Sequence, residues 1–141
     1  MRVTIIALAL LGILISGYSW YQHYGADTGT FCDISTTFSC SVVNRSIYSK
    51  FLGVPVAAIG FAGYALLLAL ALMKKPLWRY VFAAGIMGTI FSAYLTWIEF
   101  ATLKTFCVLC LISQGAILAI AVLAGAGYYQ KRRRYGSEQK N

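Results

Sequence analysis

The chain has 141 residues, of which 60% are hydrophobic and only 11% are Asp, Glu, Lys or Arg, and its mean hydropathy is +0.71. A soluble domain carries roughly a quarter of its residues charged and a disordered chain far fewer apolar ones, so both classes are excluded. The net charge of +8 arises from 12 basic and 4 acidic residues, but the basic ones lie between long apolar runs instead of on one folded face, which excludes nucleic acid as a partner.

Residues 3–22, 51–73, 80–98 and 105–130 carry no formal charge. Each run approaches or exceeds the ~20 residues that an α-helix needs to cross a hydrocarbon core. The fold predicted is an all-α membrane protein, a four-transmembrane-helix bundle forming one integral membrane domain over residues 1–141. Trp20, Tyr21, Trp78, Tyr80, Trp97, Tyr128 and Tyr129 stand at run ends, where interfacial aromatic belts form.

Arg2 followed by an apolar run also describes a secretory signal peptide. The apolar part is longer than the usual ~7–15 residues, and no A-x-A-like cleavage site precedes the aromatic cluster. The first run is therefore read as a retained span.

Residues 23–50 hold His23, Cys32 and Cys40, with Asp27, Thr28, Gly29 and Thr30 as a flexible setting for Cys32. His23, the sole histidine, is read as a surface residue. In 41–51, Val43, Ile47 and Phe51 recur every fourth position, opposite Asn44, Arg45 and Lys50. That is a short amphipathic interfacial helix, expected to lid the bundle with Tyr48 near its pocket. Farther along, Gly60 with Gly63, Gly85 with Gly88 and Ser92, and Gly115 with Ala119 predict close helix packing. Glu99, the acidic residue beside the third span, is read as solvated or paired with Lys104 instead of as a proton donor.

Lys and Arg set the orientation. With a cytoplasmic N-terminus that side carries Arg2, Lys74, Lys75, Arg79, residues 131–134 and Lys140, whereas the other side carries Arg45, Lys50 and Lys104. Nine against three obeys the positive-inside rule. A multi-pass plasma-membrane protein with both termini cytoplasmic follows, and the run 131–134 is a topology anchor beside anionic lipid. All four cysteines then face the oxidising, extracytoplasmic side.

Three readings of the cysteines compete. Structural staples are one, but a C-x-x-C bridge closes too short a loop to constrain the unfolded chain much. A zinc site is another, but the C-x7-C spacing of Cys32 and Cys40 is wider than a common half-site, so no metal is expected. The third is redox catalysis. Cys107 and Cys110 fall on one face of a helix's first turn, where unpaired N–H groups and nearby Lys104 favour the thiolate. Two pairs make a relay. A pair at the head of a membrane helix makes sense when the oxidant dissolves in the membrane, and a quinone is such an oxidant.

Cys32-Asp33-Ile34, then Cys40-Ser41, Gly53-Val54-Pro55, and Tyr94-Leu95-Thr96-Trp97-Ile98 leading into Phe106-Cys107-Val108-Leu109-Cys110, resemble the vitamin K epoxide reductase (VKOR) family, in particular its prokaryotic members. The resemblance implies that Cys107 and Cys110 are the active-site pair, with Cys110 next to the quinone. It further implies that Cys40 attacks Cys107 and that Cys32 exchanges with a thioredoxin-like thiol protein. The implied cofactor is a quinone of the ubiquinone, menaquinone or vitamin K type, and the implied product is a disulfide in secreted proteins.

Two positions depart from the animal members, which carry an Asn where this chain has Val56 and a Tyr where it has Gln114. The first departure weighs against epoxide reduction. Gln114 still offers a hydrogen bond to a quinone oxygen, and Tyr48, Val56 and Ile59 complete the expected pocket. Only a short tail follows Tyr129, so the thioredoxin-like partner is expected to be a separate protein. The alternatives are a vitamin K epoxide or quinone reductase and a non-enzymatic, disulfide-stapled membrane protein.

Overall fold

The computed structural model describes residues 1–25, 33–35, 37–73 and 77–138. Cys32, Lys74, Lys75 and Lys140 lie outside them, as do Asp27, Thr28, Gly29 and Thr30. Four long helices dominate: α1 (Arg2–Tyr24), α3 (Val56–Leu72), α4 (Trp78–Ile98) and α5 (Val108–Glu138). Arg2–Tyr24, Trp78–Leu103 and Val108–Ser137 are long and apolar enough to cross a membrane, while Val56–Leu72 is apolar but shorter. The outward faces stay apolar, with Val3, Leu14, Met87 and Val122 all exposed. Such a surface suits lipid better than water.

The run expected to be a span from residue 51 begins later, at Val56. Residues 50–55 instead form a hairpin, β1 (Lys50–Phe51) against β2 (Val54–Pro55), in antiparallel register. Its two-residue loop has positive φ at both positions, Leu52 at 53° and Gly53 at 83°. That is the backbone twist a tight hairpin demands, and Gly53 meets it without strain. Pro55 then stands as the N-cap of α3, just ahead of its first residue, Val56.

The expected amphipathic helix over 41–51 is also shorter than its periodicity suggests. The structure has α2 (Cys40–Arg45) and a single 3-10 turn (Ile47–Ser49), separated by Ser46 in an extended conformation. The Ser46 hydroxyl donates to the Val43 carbonyl at 2.8 Å, the local bond by which Ser competes with a continuing helix.

α1 packs on α3 and α5, and α4 packs along α5. Small residues allow the approach. A side chain at Gly85 would meet the Ala121 backbone at 3.0 Å, one at Gly88 would meet Ile117 at 3.0 Å, and one at Gly60 would meet Ser16 Oγ at 3.1 Å. Gly63 and Gly115, also expected to be packing glycines, face open space. The main core, formed by Ile5, Ala9, Tyr64, Leu67, Ala71, Val81, Ile117, Ile120 and Ala124, unites all four helices.

At one end of the bundle Arg2 donates to the carbonyls of Ala71 (2.9 Å), Leu72 (2.9 Å) and Met73 (3.1 Å). It thereby satisfies orphan groups at the α3 C-terminus and places a cation against the negative end of that helix. The antiparallel order of the helices puts the C-terminus of α1 and the N-termini of α3 and α5 together at the other end, with α2 beside them.

Candidate functional site

The end remote from Arg2 holds a second, smaller cluster: Cys40, Val43 and Cys107, wrapped by Leu103, Leu109 and Cys110. Cys40 and Cys107 are both fully buried. Three local arrangements bring them there.

First, α4 does not stop cleanly. It runs into a π-helical turn (Glu99–Leu103), and Lys104 reverses the chain in the left-handed region at φ 48°. Wider turns of this kind recur at functional sites because they rotate side chains off the ordinary helical register. Here the turn buries Glu99, which is only 4% exposed.

Second, Cys107 caps α5. Its carbonyl accepts the Leu111 N–H at 3.0 Å and its sulfur accepts the Cys110 N–H at 3.4 Å. The sulfur thus performs the task of an N-cap oxygen, three residues ahead of the donor. The C-x-x-C spacing is what permits it.

Third, the segment before α2 is pinned to the segment before α5. The Phe106 N–H donates to the Thr37 carbonyl at 2.8 Å, within a parallel bridge between Phe38 and Phe106, whose rings also face each other. The Asp33 carboxylate accepts the Ser39 hydroxyl (2.7 Å) and the Ser41 N–H (3.2 Å), which holds the start of α2 in place.

The outcome is a separation of 3.3 Å between Cys40 Sγ and Cys107 Sγ. Cys40 is disulfide-bonded, whereas Cys107 and Cys110 are free thiols. A free thiol in contact with a bridged sulfur is the geometry from which thiol–disulfide exchange starts. Cys107 lies one residue ahead of the span Val108–Ser137, and its thiol is held below the usual value. The main cause is the hydrogen bond from the Cys110 thiol, opposed by burial and aided by the Cys110 and Leu109 N–H groups.

Beneath the sulfurs lies a cavity of about 590 Å³ between α1, α3, α4 and α5. Cys110 forms part of its wall but Cys107 does not, so one cysteine faces Cys40 and the other faces the cavity. Tyr48, Val56 and Ile59 line it. Gln114 does not. Its Oε1 accepts the Thr96 hydroxyl at 2.7 Å, and Thr96 is the member of this pair that reaches the cavity wall. Tyr64 crosses the floor, where its hydroxyl bonds the Ser113 carbonyl (2.7 Å) and hydroxyl (2.9 Å). Two lining residues, Leu66 on α3 and Met87 on α4, are 55% and 73% exposed, so the cavity opens sideways between those helices.

Several cavity residues escaped the sequence reading. Glu99 is neither solvated nor ion-paired with Lys104: it is buried on the cavity wall beside Cys110 and accepts the Cys107 N–H at 3.3 Å, while Lys104 stays exposed. His23 is not a plain surface residue, since its Nδ1–H bonds the Asn44 carbonyl and its ring lines the cavity. Ser16 and Ser19 line it too. Their signal was present in the sequence: positions 12, 16, 19 and 23 form a small and polar stripe on an otherwise apolar helix, and that stripe faces inward.

A volume of this size, with mostly apolar walls and a few convergent polar groups, suits a ring compound. The cavity is thus compatible with a quinone beside Cys110. Among the described residues, no group of three or more His, Cys, Asp or Glu side chains is arranged to hold a metal.

The model for the vitamin K epoxide reductase family matches residues 3–125, which takes in α1 from its second residue, α2 to α4, the π turn, both free thiols and the first half of α5. The chain belongs to that family, whose members are membrane oxidoreductases of disulfide and quinone chemistry.

Proposed function

We propose that this member of the vitamin K epoxide reductase family is a thiol oxidase and quinone reductase that supports disulfide-bond formation. Electrons enter at Cys32 and Cys40 from a separate thioredoxin-like protein, pass to Cys107 and Cys110, and leave to a membrane quinone. The observation that carries this reading is the 3.3 Å contact between the Cys40 and Cys107 sulfurs, with Cys110 turned to the cavity.

The steps follow from sulfur chemistry. The partner's two thiols reduce the Cys32–Cys40 disulfide and leave as a disulfide of the partner. Cys40, as thiolate, attacks Cys107 in a Cys107–Cys110 disulfide, and Cys110 departs and takes up the proton that Cys40 gave up. Cys32 then attacks Cys40, which re-forms the outer disulfide and frees Cys107. Two electrons have moved inward by two exchanges, the first of them between sulfurs 3.3 Å apart. A quinone bound beside Cys110 supplies the acceptor of two electrons and two protons. Cys107 and Cys110 return to the disulfide as those electrons leave.

In this reading α3 is the fourth span. At 1.5 Å per residue its 17 residues reach about 25 Å, and the hairpin ahead of it adds the apolar Phe51, Leu52 and Val54 at one end. The chain forms a single membrane domain, with both termini cytoplasmic and the cysteines extracytoplasmic. Val56 at the cavity wall offers no side-chain hydrogen bond, so no observation favours epoxide as the substrate.

The test mixes a reduced thioredoxin-like protein with the purified chain and a quinone, and follows quinol. Wild type is expected to turn over and Cys110→Ala to be inactive. Equal rates in the two would overturn the assignment.

A further inference from the structure

We propose that Glu99 is the proton carrier of the site, taking the proton from the Cys110 thiol and delivering it to the reduced acceptor in the cavity. The inference rests on the reading above and adds a residue that the sulfur chemistry does not by itself require.

The relay moves electrons between sulfurs without difficulty, but quinone reduction also consumes two protons, and the walls of the cavity are mostly apolar. Some group at the cavity wall must pass them on. Glu99 stands between the thiol pair and the cavity. It is buried at 4% exposure, shares the cavity wall with Cys110 and accepts the Cys107 N–H through Oε2 at 3.3 Å.

The titratable and charged groups around it are few. Cys107 and Cys110 face it from α5, Cys40 lies behind Cys107 on α2, His23 lines the same cavity from α1, and exposed Lys104 is on its own turn. Among the described residues no ion pair holds Glu99 as a fixed charge, and a buried carboxyl group without a cation exchanges its proton more readily than one locked in a salt bridge. His23 is less suited, because its Nδ1–H is already committed to the Asn44 carbonyl and no contact joins it to either free thiol.

The step balances. The Glu99 carboxylate takes the Cys110 proton as the thiolate forms. The Cys110 and Cys107 sulfurs then join, two electrons pass to the acceptor, and the Glu99 proton follows to its oxygen. The second proton comes from the Cys107 thiol. Glu99 ends as it began, ionised. It acts first as base and then as acid.

The experiment uses the full chain in lipid nanodiscs, pre-reduced with dithiothreitol and mixed in a single turnover with a short-tailed benzoquinone. Glu99→Gln keeps an acceptor for the Cys107 N–H but cannot carry a proton, and is expected to slow quinone reduction about 10²-fold or more. Glu99→Asp should restore part of the rate. A quinone-free readout controls for structure: exchange between a reduced Cys32–Cys40 pair and an oxidised Cys107–Cys110 pair, quenched by alkylation, should stay within about twofold of wild type in Glu99→Gln, since that step needs no carboxyl group. Glu99→Gln that reduces quinone at the wild-type rate overturns the proton role, and so does an equal fall in both steps, which marks Glu99 as structural. A wild-type chain that performs the exchange yet never forms quinol would instead remove the reading on which the inference stands.

Discussion

Cys107 Sγ accepts the backbone N–H of Cys110, so the first cysteine of the pair caps the helix that carries the second. Two demands are met by one arrangement: the helix gains a cap, and the sulfur gains hydrogen bonds and a helix N-terminus that favour its ionised form.

The first prediction concerns pH. The folded value for the Cys107 thiol lies below the ordinary 9.0, first because of the Cys110 thiol hydrogen bond. The thiolate is therefore expected to persist below the pH at which a free cysteine protonates. Its contribution to stability is full above the unfolded thiol value and is lost as pH falls through the folded one. Ultraviolet thiolate absorbance of the reduced Cys32→Ala/Cys40→Ala chain should titrate below a free thiol, and adding Cys110→Ala should move the midpoint up. Coincident curves would show that the cap and its neighbour do not act on the sulfur.

The Cys40 to Cys107 contact predicts a trapped intermediate. In Cys32→Ala/Cys110→Ala each remaining cysteine has lost its resolving partner, while their sulfurs stand at 3.3 Å. Mild oxidation should join them nearly completely, and peptide mass spectrometry should find the Cys40–Cys107 linkage. Free thiols after such treatment would argue against direct exchange.

Packing between α4 and α5 offers a stability test. Gly85→Val forces atoms into the Ala121 backbone, which cannot yield without moving a helix, and should cost about 1–3 kcal/mol. Gly115→Ala meets open space and should be neutral or stabilise by up to about 1 kcal/mol. Thermal unfolding in detergent would separate the two, and similar midpoints would contradict the packing described.

Arg2→Ala removes a cation from three terminal carbonyls of α3. A loss of about 1–2 kcal/mol is expected, lowering the thermal midpoint, with Arg2→Lys recovering only part because an ammonium cannot spread over the carbonyls as a guanidinium does. An unchanged midpoint in Arg2→Ala would show the contacts to be worth nothing net.

The apolar runs made the helices legible in the sequence, because continuous hydrophobicity over such lengths has one economical fold in lipid. Their limits were less legible. Periodicity at 41–51 ignored the local bond of Ser46 to Val43, and the charge-free run from residue 51 concealed a hairpin whose only cues were Gly53 and Pro55. The four cysteines stand out by spacing alone. Glu99 does not: a lone acid beside a span reads as interfacial unless one knows that the helix widens into a π turn and carries it inward. Gln114 misled in the opposite sense, since its amide oxygen is taken by a neighbouring helix before it can serve a ligand.

The gap at Leu66 and Met87 has one more consequence. A molecule with a long isoprenoid tail need not be swallowed whole. Its head can dock below Cys110 while the tail trails out between α3 and α4 among the acyl chains. Discrimination among such molecules then falls on the head group, and lengthening the tail by several units should leave affinity nearly unchanged.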